Sequence, residues 1–166
     1  MIAIWKMYHS QSRFYMEKIP PPAISYRDVI TGKSQAFCHL LLFFSLYEDE
    51  TFKGEETHEV FAALQKYAFT ADVDFAGEVN VFFDYKEGIG DEHTYFEYLT
   101  GLIACEAPNV ILFHAAQVAL SDAVYSHNDK RCLDILRKVL LIGEMEGNAI
   151  LQLASGQRML IIKETF

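Results

Sequence analysis

The run QAFCHLLLFFSLY, residues 35–47, limits which structures the middle of the chain can adopt. Its apolar part, residues 36–46, is interrupted by His39 and is much shorter than the roughly 20 residues that a membrane helix requires. Ser34 stands where a helix N-cap would stand, so the run is predicted to form a helix. A buried strand explains the same composition nearly as well, because a short apolar run does not separate the two structures.

Segments toward both ends of the chain favour β-structure. Aromatic and β-prone residues flank the polar SQS at 10–12, which predicts an N-terminal hairpin that the prolines at 20–22 end. Apolar segments on both sides of the turn SGQ at 155–157 predict a C-terminal hairpin. The predicted strands are IAIWKMYH (2–9), RFYMEKI (13–19), AISYRDVI (23–30), EVNVFFDY (78–85), NAILQLA (148–154) and RMLIIKETF (158–166).

The other segments are predicted to be helical. Thr57 is a suitable N-cap for HEVFAALQKYAF (58–69), whose apolar residues recur with helical spacing. Three more helices are predicted at DEHTYFEYLTGLIACEA (91–107), NVILFHAAQVALSDAVYSH (109–127), which could open with a short strand, and NDKRCLDILRKVLLI (128–142), capped by Asn128. Strands at both ends with helices between them predict one α+β domain over residues 1–166. Its antiparallel sheet would include the N- and C-terminal hairpins, with the helical segment packed on it.

The charge of the chain is concentrated in its middle third. The formal net charge is −9, but residues 48–97 hold fourteen acids against three lysines, a net charge of −11, and the rest of the chain carries +2. A surface of this kind repels nucleic acid and attracts basic proteins. Direct nucleic-acid binding is therefore disfavoured and a basic protein partner is predicted. The alternative is a solvated surface that keeps the protein soluble.

Neither the cysteines nor the N-terminus indicates secretion. Cys38, Cys105 and Cys132 are odd in number and form no CxxC pair, which is typical of buried free thiols in a reducing compartment. The N-terminal MIAIWKMYHSQSRF has no long apolar core behind a basic start, so no signal peptide is predicted. The protein is predicted to be cytoplasmic, without membrane association.

No motif fixes a reaction, so no catalytic residue, metal or cofactor is predicted. The TGKS at 31–34 resembles the end of a phosphate-binding loop, but Arg27 stands where the first glycine would be required. His93 and Glu97 stand four residues apart on a predicted helix and could bind one metal, with a third ligand from His58 or Asp91. His39 and His114 lie within apolar runs and are predicted to be core residues with satisfied hydrogen bonds.

The predicted partner-binding residues combine charge with an aromatic anchor. Carboxylates speed the encounter with a basic protein, and desolvated aromatic side chains slow its departure. Phe52 lies in a predicted loop and has less reason to be buried than the aromatics of the helices. The predicted binding residues are Glu48, Asp49, Glu50, Phe52, Glu55, Glu56, Asp91 and Glu92.

The pattern in YEDETFKGEETHE (47–59) and FFDYKEGIGDEHTYFEY (82–98) resembles small acidic immunity proteins from bacterial polymorphic and contact-dependent toxin systems. The resemblance covers about fifty residues, contains no diagnostic motif and transfers no residue role. It implies a cytoplasmic, non-enzymatic inhibitor that binds a toxin domain, often a basic nuclease, and covers its active site or substrate groove. The helical stretch from Val110 to Leu141 has no such acidic bias and departs from this pattern.

Three other functions fit the same sequence. The first is a small metal-dependent or hydrolytic enzyme that uses His93, Glu97 and nearby carboxylates. The second is a DNA-mimic inhibitor whose carboxylates replace phosphates. The third is a subunit of a larger assembly whose exposed apolar surface is covered by a neighbour, and a terminal hairpin could also add its edge strand to a partner.

Overall fold

The computed structural model describes residues 24–49, 57–104, 107–121 and 125–165, with side chains described up to residue 156. Within these ranges the chain is helical and contains no strand. The helices are α1 (Tyr26–Val29), α2 (Lys33–Leu46), α3 (His58–Gln65), α4 (Phe75–Tyr85), α5 (Glu92–Ile103), α6 (Pro108–Ser121), α7 (His127–Val139) and α8 (Glu144–Thr165), with short 3-10 helices at Ala68–Thr70 and Lys86–Gly88. The predicted α+β fold with an antiparallel sheet is therefore wrong, because the described chain is a helical bundle.

Helix α2 lies at the centre of the bundle. All residues from Ala36 to Phe44 are buried, as is Leu46, and the helix contacts α3, α4, α5 and α6. A helix that is apolar on all sides is stable only when other elements cover every side. The helix predicted for this run is confirmed, although it begins at Lys33 with Gly32 as its N-cap.

The strand predicted at residues 78–85 is part of α4. Asp74 caps this helix, because its carboxylate accepts a hydrogen bond from the backbone N–H of Gly77 at 3.3 Å. The buried residues Val79, Phe82 and Tyr85 recur every three positions, which is the spacing of one helix face. The aromatic and β-branched content of EVNVFFDY therefore reflects burial against α2 and not a strand.

The C-terminal hairpin prediction is also wrong. Residues 144–165 form the single helix α8, which continues through the SGQ at 155–157. Its buried residues Gly147, Ile150 and Ala154 lie three and four positions apart on one side of the helix; the helix packs on α6, and Gly147 lies against the Arg137 side chain of α7. The strand predicted at residues 23–30 is instead the short helix α1, capped by Ser25. The N-terminal hairpin predicted at residues 2–19 lies outside the described residues.

The helices predicted between these regions are confirmed as α3, α5, α6 and α7. Helix α6 starts at Pro108 without an opening strand. The cap of α7 is Ser126 and not Asn128: the Ser126 hydroxyl accepts from the backbone N–H of Asp129 at 3.0 Å, and the Asp129 carboxylate accepts from the backbone N–H of Ser126. Among the helices of the described ranges, none has the length and apolar composition needed to cross a membrane.

The helices share one hydrophobic core around α2. Helices α5 and α6 both pack on α2, and α7 contacts both α5 and α6. Aromatic rings fill the space between α2 and α5: Phe43 meets Phe96 edge-on at 5.0 Å between centroids, and Phe44 stacks on Phe96 at 5.7 Å. This packing brings the end of α2 next to the start of α7, where the candidate site lies.

Candidate functional site

The structure describes four of the eight predicted binding residues. Glu50, Phe52, Glu55 and Glu56 lie outside the described residues, so their role in binding stays a prediction. Glu48 and Asp49 directly follow the C-terminal end of α2, and Asp91 and Glu92 stand at the start of α5. The four residues are on the surface, with Glu48 and Asp91 exposed and Asp49 and Glu92 half-buried.

Glu48 and Asp49 line a small cleft between the end of α2 and the start of α7, defined as the α2–α7 cleft. Asp129 of α7 supplies a third carboxylate, which the sequence pattern does not indicate because it lies far from the acidic block. The Ser126 hydroxyl donates a hydrogen bond to Glu48 Oε2 at 3.4 Å across the cleft. The remaining lining residues are Phe43, Phe44, Ser45, Tyr47, Asn128 and Cys132.

Glu92 belongs to the same part of the surface as the cleft. Its carboxylate forms an ion pair with Arg131 of α7 at 2.7 Å, and this hydrogen bond lowers the pKa of Glu92. Burial raises the pKa of Cys132 to about 11, and the negative charges of Glu92, Asp129 and Glu48 act in the same direction. Glu48 and Glu92 are distant in sequence but lie around one buried thiol, so part of the predicted site is brought together.

Asp91 has a structural role at the start of α5. Its carboxylate accepts hydrogen bonds from the backbone N–H of Thr94 at 3.2 Å and from the Thr94 hydroxyl at 2.6 Å, which lowers the pKa of Asp91. This is the capping arrangement that satisfies the first N–H groups of a helix. Asp74 caps α4 in the same way, and Glu59, Glu78 and Glu92 occupy first turns. Three helix starts therefore account for part of the acidic block.

Lys86 fixes the chain where α2 ends. Its side chain is buried, and its ammonium group donates to the backbone carbonyl oxygens of Leu46 at 3.3 Å, Tyr47 at 3.4 Å and Asp49. A cation at this point satisfies carbonyls that the end of a helix leaves unpaired and complements the negative end of its dipole. Lys86 thereby positions Glu48 and Asp49 beside α7. From sequence it is only one of three lysines within an acidic block.

A second polar cluster lies inside the bundle and ties α2, α4 and α5 together. His39 Nε2 is 2.5 Å from Glu78 Oε2, His39 Nδ1 is 2.7 Å from the Tyr85 hydroxyl, and that hydroxyl is 2.6 Å from the Tyr95 hydroxyl. Gln35 donates to the other Glu78 oxygen at 3.0 Å. We call this chain of four residues, His39, Glu78, Tyr85 and Tyr95, the core network.

The core network satisfies its hydrogen bonds internally. A carboxylate only accepts hydrogen bonds, so in the neutral imidazole His39 Nε2 carries the proton and Nδ1 accepts from Tyr85. The Tyr85 oxygen can then accept from Tyr95. His39 and Tyr95 are fully buried, and the Glu78 side chain is 14% exposed. A carboxylate–imidazole–hydroxyl chain also occurs in nucleophilic catalysis, but here both hydroxyls are enclosed in the core, so the arrangement is structural.

The core network makes stability sensitive to acid. The hydrogen bond from His39 holds the pKa of Glu78 below its ordinary value of 4.5. Because the folded-state pKa is depressed, this contribution is present above pH 4.5 and is lost as the pH falls through the lowered value. We expect Glu78→Gln to be less stable at pH 7 by about 1 kcal/mol, since a charged hydrogen bond becomes neutral. It should also lose less stability than the wild type between pH 5 and pH 3.

Urea denaturation at each pH measures this difference, with Glu97→Gln on the exposed side of α5 as the control. The control should keep the wild-type pH profile. An unchanged acid profile for Glu78→Gln would contradict the assignment of the acid sensitivity to Glu78.

The two core histidines differ in how well they are satisfied. His39 is satisfied as predicted, whereas buried His114 uses Nε2 with the Tyr67 hydroxyl at 2.6 Å and leaves Nδ1 without a partner among the described residues. Burial lowers the pKa of His114 to about 4. His114 therefore stays uncharged at neutral pH.

The metal-site alternative receives no support from the geometry. His93 Nδ1 lies 3.7 Å from Glu97 Oε2, and both side chains are more than half exposed. In the part of the chain that the structure describes, no three His, Cys, Asp or Glu side chains converge as metal ligands. His93 and Glu97 form a surface pair on α5.

Comparison of the chain with protein-family models, with curated proteins and with solved structures finds no match. The fold and site therefore define the class only as a helical bundle with an acidic cleft at the end of its central helix.

Proposed function

We propose that this protein is a non-enzymatic inhibitor that binds a basic protein through its acidic surface, as an immunity protein binds a nuclease toxin. The observation that carries the proposal is the α2–α7 cleft, where carboxylates from two distant segments, Glu48 and Asp49 on one side and Asp129 on the other, line one opening. The proposed mechanism is that this surface covers the toxin's active site or substrate groove.

Several carboxylates of the acidic block have no cation paired with them, although Glu92 beside the cleft pairs with Arg131. Glu48, Asp84 and Glu87 are exposed, and none of the three forms an ion pair with a described cation. Of the two described lysines in the block, Lys86 is buried against backbone carbonyls, so its charge is not directed to the surface. Uncompensated surface charge of one sign speeds the encounter with an oppositely charged partner and makes it sensitive to salt.

The cleft has one partly exposed aromatic side chain, that of Tyr47, which is available to a partner. Tyr47 stacks on Phe43 with 4.4 Å between ring centroids, and both residues line the opening beside Glu48 and Asp49. Phe43 is buried, so a lysine or arginine side chain at the mouth of the cleft could lay its aliphatic part on the half-buried Tyr47 ring while its charge meets the carboxylates. Asp129 is held in place by its capping bonds to Ser126, so one wall of the cleft is already ordered.

The test is calorimetric titration of the full chain with the purified C-terminal domain of a toxin encoded next to it. We expect a 1:1 complex whose Kd rises at least tenfold between 50 and 300 mM NaCl. Glu48→Lys and Asp49→Lys should each weaken it about tenfold or more, because each reverses a charge inside the cleft and neither side chain caps a helix. Asp28→Lys makes the same charge change on exposed α1 and should have little effect.

Two results would contradict the proposal. The first is the absence of a complex at low salt, and the second is a complex that neither salt nor the two cleft variants weaken. A tight salt-sensitive complex with a DNA-binding protein in place of a toxin would support the DNA-mimic alternative.

A further inference from the structure

Arg131 of α7 lies at the edge of the α2–α7 cleft. Its Nη2 donates to Glu92 Oε1 at 2.7 Å and to Asn128 Oδ1 at 2.7 Å, and its Nε also donates to Asn128 Oδ1, at 3.1 Å. Asn128 is itself one of the residues that line the cleft. The guanidinium group is therefore held between a carboxylate of α5 and an amide oxygen that belongs to the wall of the cleft.

Tyr47, which also lines the cleft, lies close to the same ion pair. Burial raises the pKa of Tyr47, and the charge of Glu92 raises it further, whereas the charge of Arg131 lowers it. Both members of the ion pair thus adjoin the half-buried Tyr47 ring. A carboxylate, an amide oxygen and an aromatic ring suit a guanidinium group, which is planar, donates several hydrogen bonds in a fixed geometry and stacks on rings.

The ion pair between Arg131 and Glu92 is open to exchange. The Arg131 side chain is 47% exposed, and the Glu92 side chain is 19% exposed. An ion pair with an exposed member contributes little to stability, because water screens its charges. In the part of the chain that the structure describes, no second cation pairs with Glu92. When Arg131 moves away, the partly covered carboxylate is left for an incoming cation.

We propose that Arg131 occupies, in the free protein, the position that an arginine of the basic partner takes in the complex. This inference rests on the proposed function, because it concerns the same surface. The partner's guanidinium group pairs with Glu92 and Asn128 beside the Tyr47 ring, and the Arg131 side chain turns toward solvent. Arg131 is then a residue that determines specificity. It weakens the binding of every basic partner, and it leaves a position that suits arginine better than lysine, whose ammonium group is a point charge.

The first experiment titrates the full chain calorimetrically with a peptide of nine arginines and with a peptide of nine lysines, in 50 mM NaCl. Arg131→Ala should bind the arginine peptide at least fivefold more tightly than the wild type does, and the lysine peptide at most about twofold more tightly. Lys130→Ala removes the same charge from the neighbouring exposed residue and should change the binding of both peptides by less than about twofold. Circular dichroism should show the wild-type helix content for both variants.

The second experiment separates the exchange of an ion pair from a general effect of net charge. It repeats the titration with Glu92→Gln and with the double variant of Glu92→Gln and Arg131→Ala. When Glu92 is already neutral, Arg131→Ala has no carboxylate to release, so its gain should fall to that of Lys130→Ala. The inference would be overturned by a gain that persists in the double variant, by equal gains for Arg131→Ala and Lys130→Ala, or by equal gains for the two peptides.

Failure of this inference can be distinguished from failure of the proposed function. A toxin complex that salt and Glu48→Lys weaken, together with an Arg131→Ala variant that behaves like Lys130→Ala, contradicts the inference and leaves the proposed function intact. The absence of arginine-peptide binding by both the wild type and Arg131→Ala also contradicts the inference. The titration with the toxin domain then decides the proposed function separately.

Discussion

Replacing His39 with alanine is expected to lower the free energy of unfolding by about 3–5 kcal/mol. His39 is fully buried in α2 and contacts both Glu78 and Tyr85. Alanine would leave a cavity in the centre of the bundle. It would also leave the Glu78 carboxylate without its strongest hydrogen bond and the Tyr85 hydroxyl with one partner fewer. Unfilled volume and unsatisfied polar groups are separately costly in a core.

Urea denaturation followed by circular dichroism at 222 nm measures this loss. His93→Ala is the matched control, because His93 lies on the exposed side of α5 and its loss should change stability by less than about 0.5 kcal/mol. Tyr95→Phe removes only the last hydroxyl of the core network and should cost about 1–2 kcal/mol. If His39→Ala were as stable as His93→Ala, the core network would not be what holds α2, α4 and α5 together.

The Lys86→Met variant is expected to be less stable by about 2–4 kcal/mol. Methionine has nearly the same length and can fill the same space, but it donates no hydrogen bond. The carbonyl oxygens of Leu46, Tyr47 and Asp49 would all lose the ammonium group that now binds them. The result separates the packing of the Lys86 side chain, which methionine keeps, from its charge, which also lies over the Phe83 ring at 4.7 Å.

Thermal and urea denaturation measure the change, with Lys66→Met at the exposed end of α3 as the control. Because Lys86 fixes the segment that carries Glu48 and Asp49, the variant should also weaken partner binding under conditions where it remains folded. A Lys86→Met protein with wild-type stability would show that the end of α2 is held by other contacts.

The helices that have clear start signals can be predicted from the sequence. Thr57 and Asp91 directly precede α3 and α5, and the Asp91 carboxylate accepts from the backbone N–H of Thr94, although Thr57 makes no side-chain capping bond. At α7 the sequence prediction named Asn128, two residues after the observed cap Ser126. Behind each of them the apolar residues recur with a period near 3.6. These signals are local, so they can be recognised from the sequence without knowledge of the tertiary structure.

The β predictions are wrong because residue composition is a weaker signal than residue spacing. EVNVFFDY is rich in residues with β propensity, but that propensity largely expresses packing on a half-buried surface. NAILQLA has only Ile150 of this kind, so its strand prediction depended on the turn signal SGQ. In α4 the same residue types pack against α2, and Asp74 already provides a helix cap four residues before Glu78. In α8, Gly156 favours a turn only weakly, since a single glycine within a helix costs about 1 kcal/mol.

The candidate site was only partly predictable. The acidic block correctly indicates that Glu48 and Asp49 lie on the surface, because runs of carboxylates after an apolar helix must reach solvent. It cannot indicate Asp129, which is about eighty residues away and reaches the cleft only through the packing of α7. The core network could not be predicted from the sequence either, since His39, Glu78 and Tyr95 come close together only when α2, α4 and α5 pack.

Helix α2 has no solvent-facing side, and this affects how the protein unfolds. A helix of fourteen residues with such a sequence has little stability by itself in water. It depends on α3, α4, α5 and α6 together, so removal of any one of them would uncover its leucines and phenylalanines. The protein should therefore unfold as one cooperative unit, and backbone amides of α2 should exchange with solvent deuterium only through opening of the entire bundle.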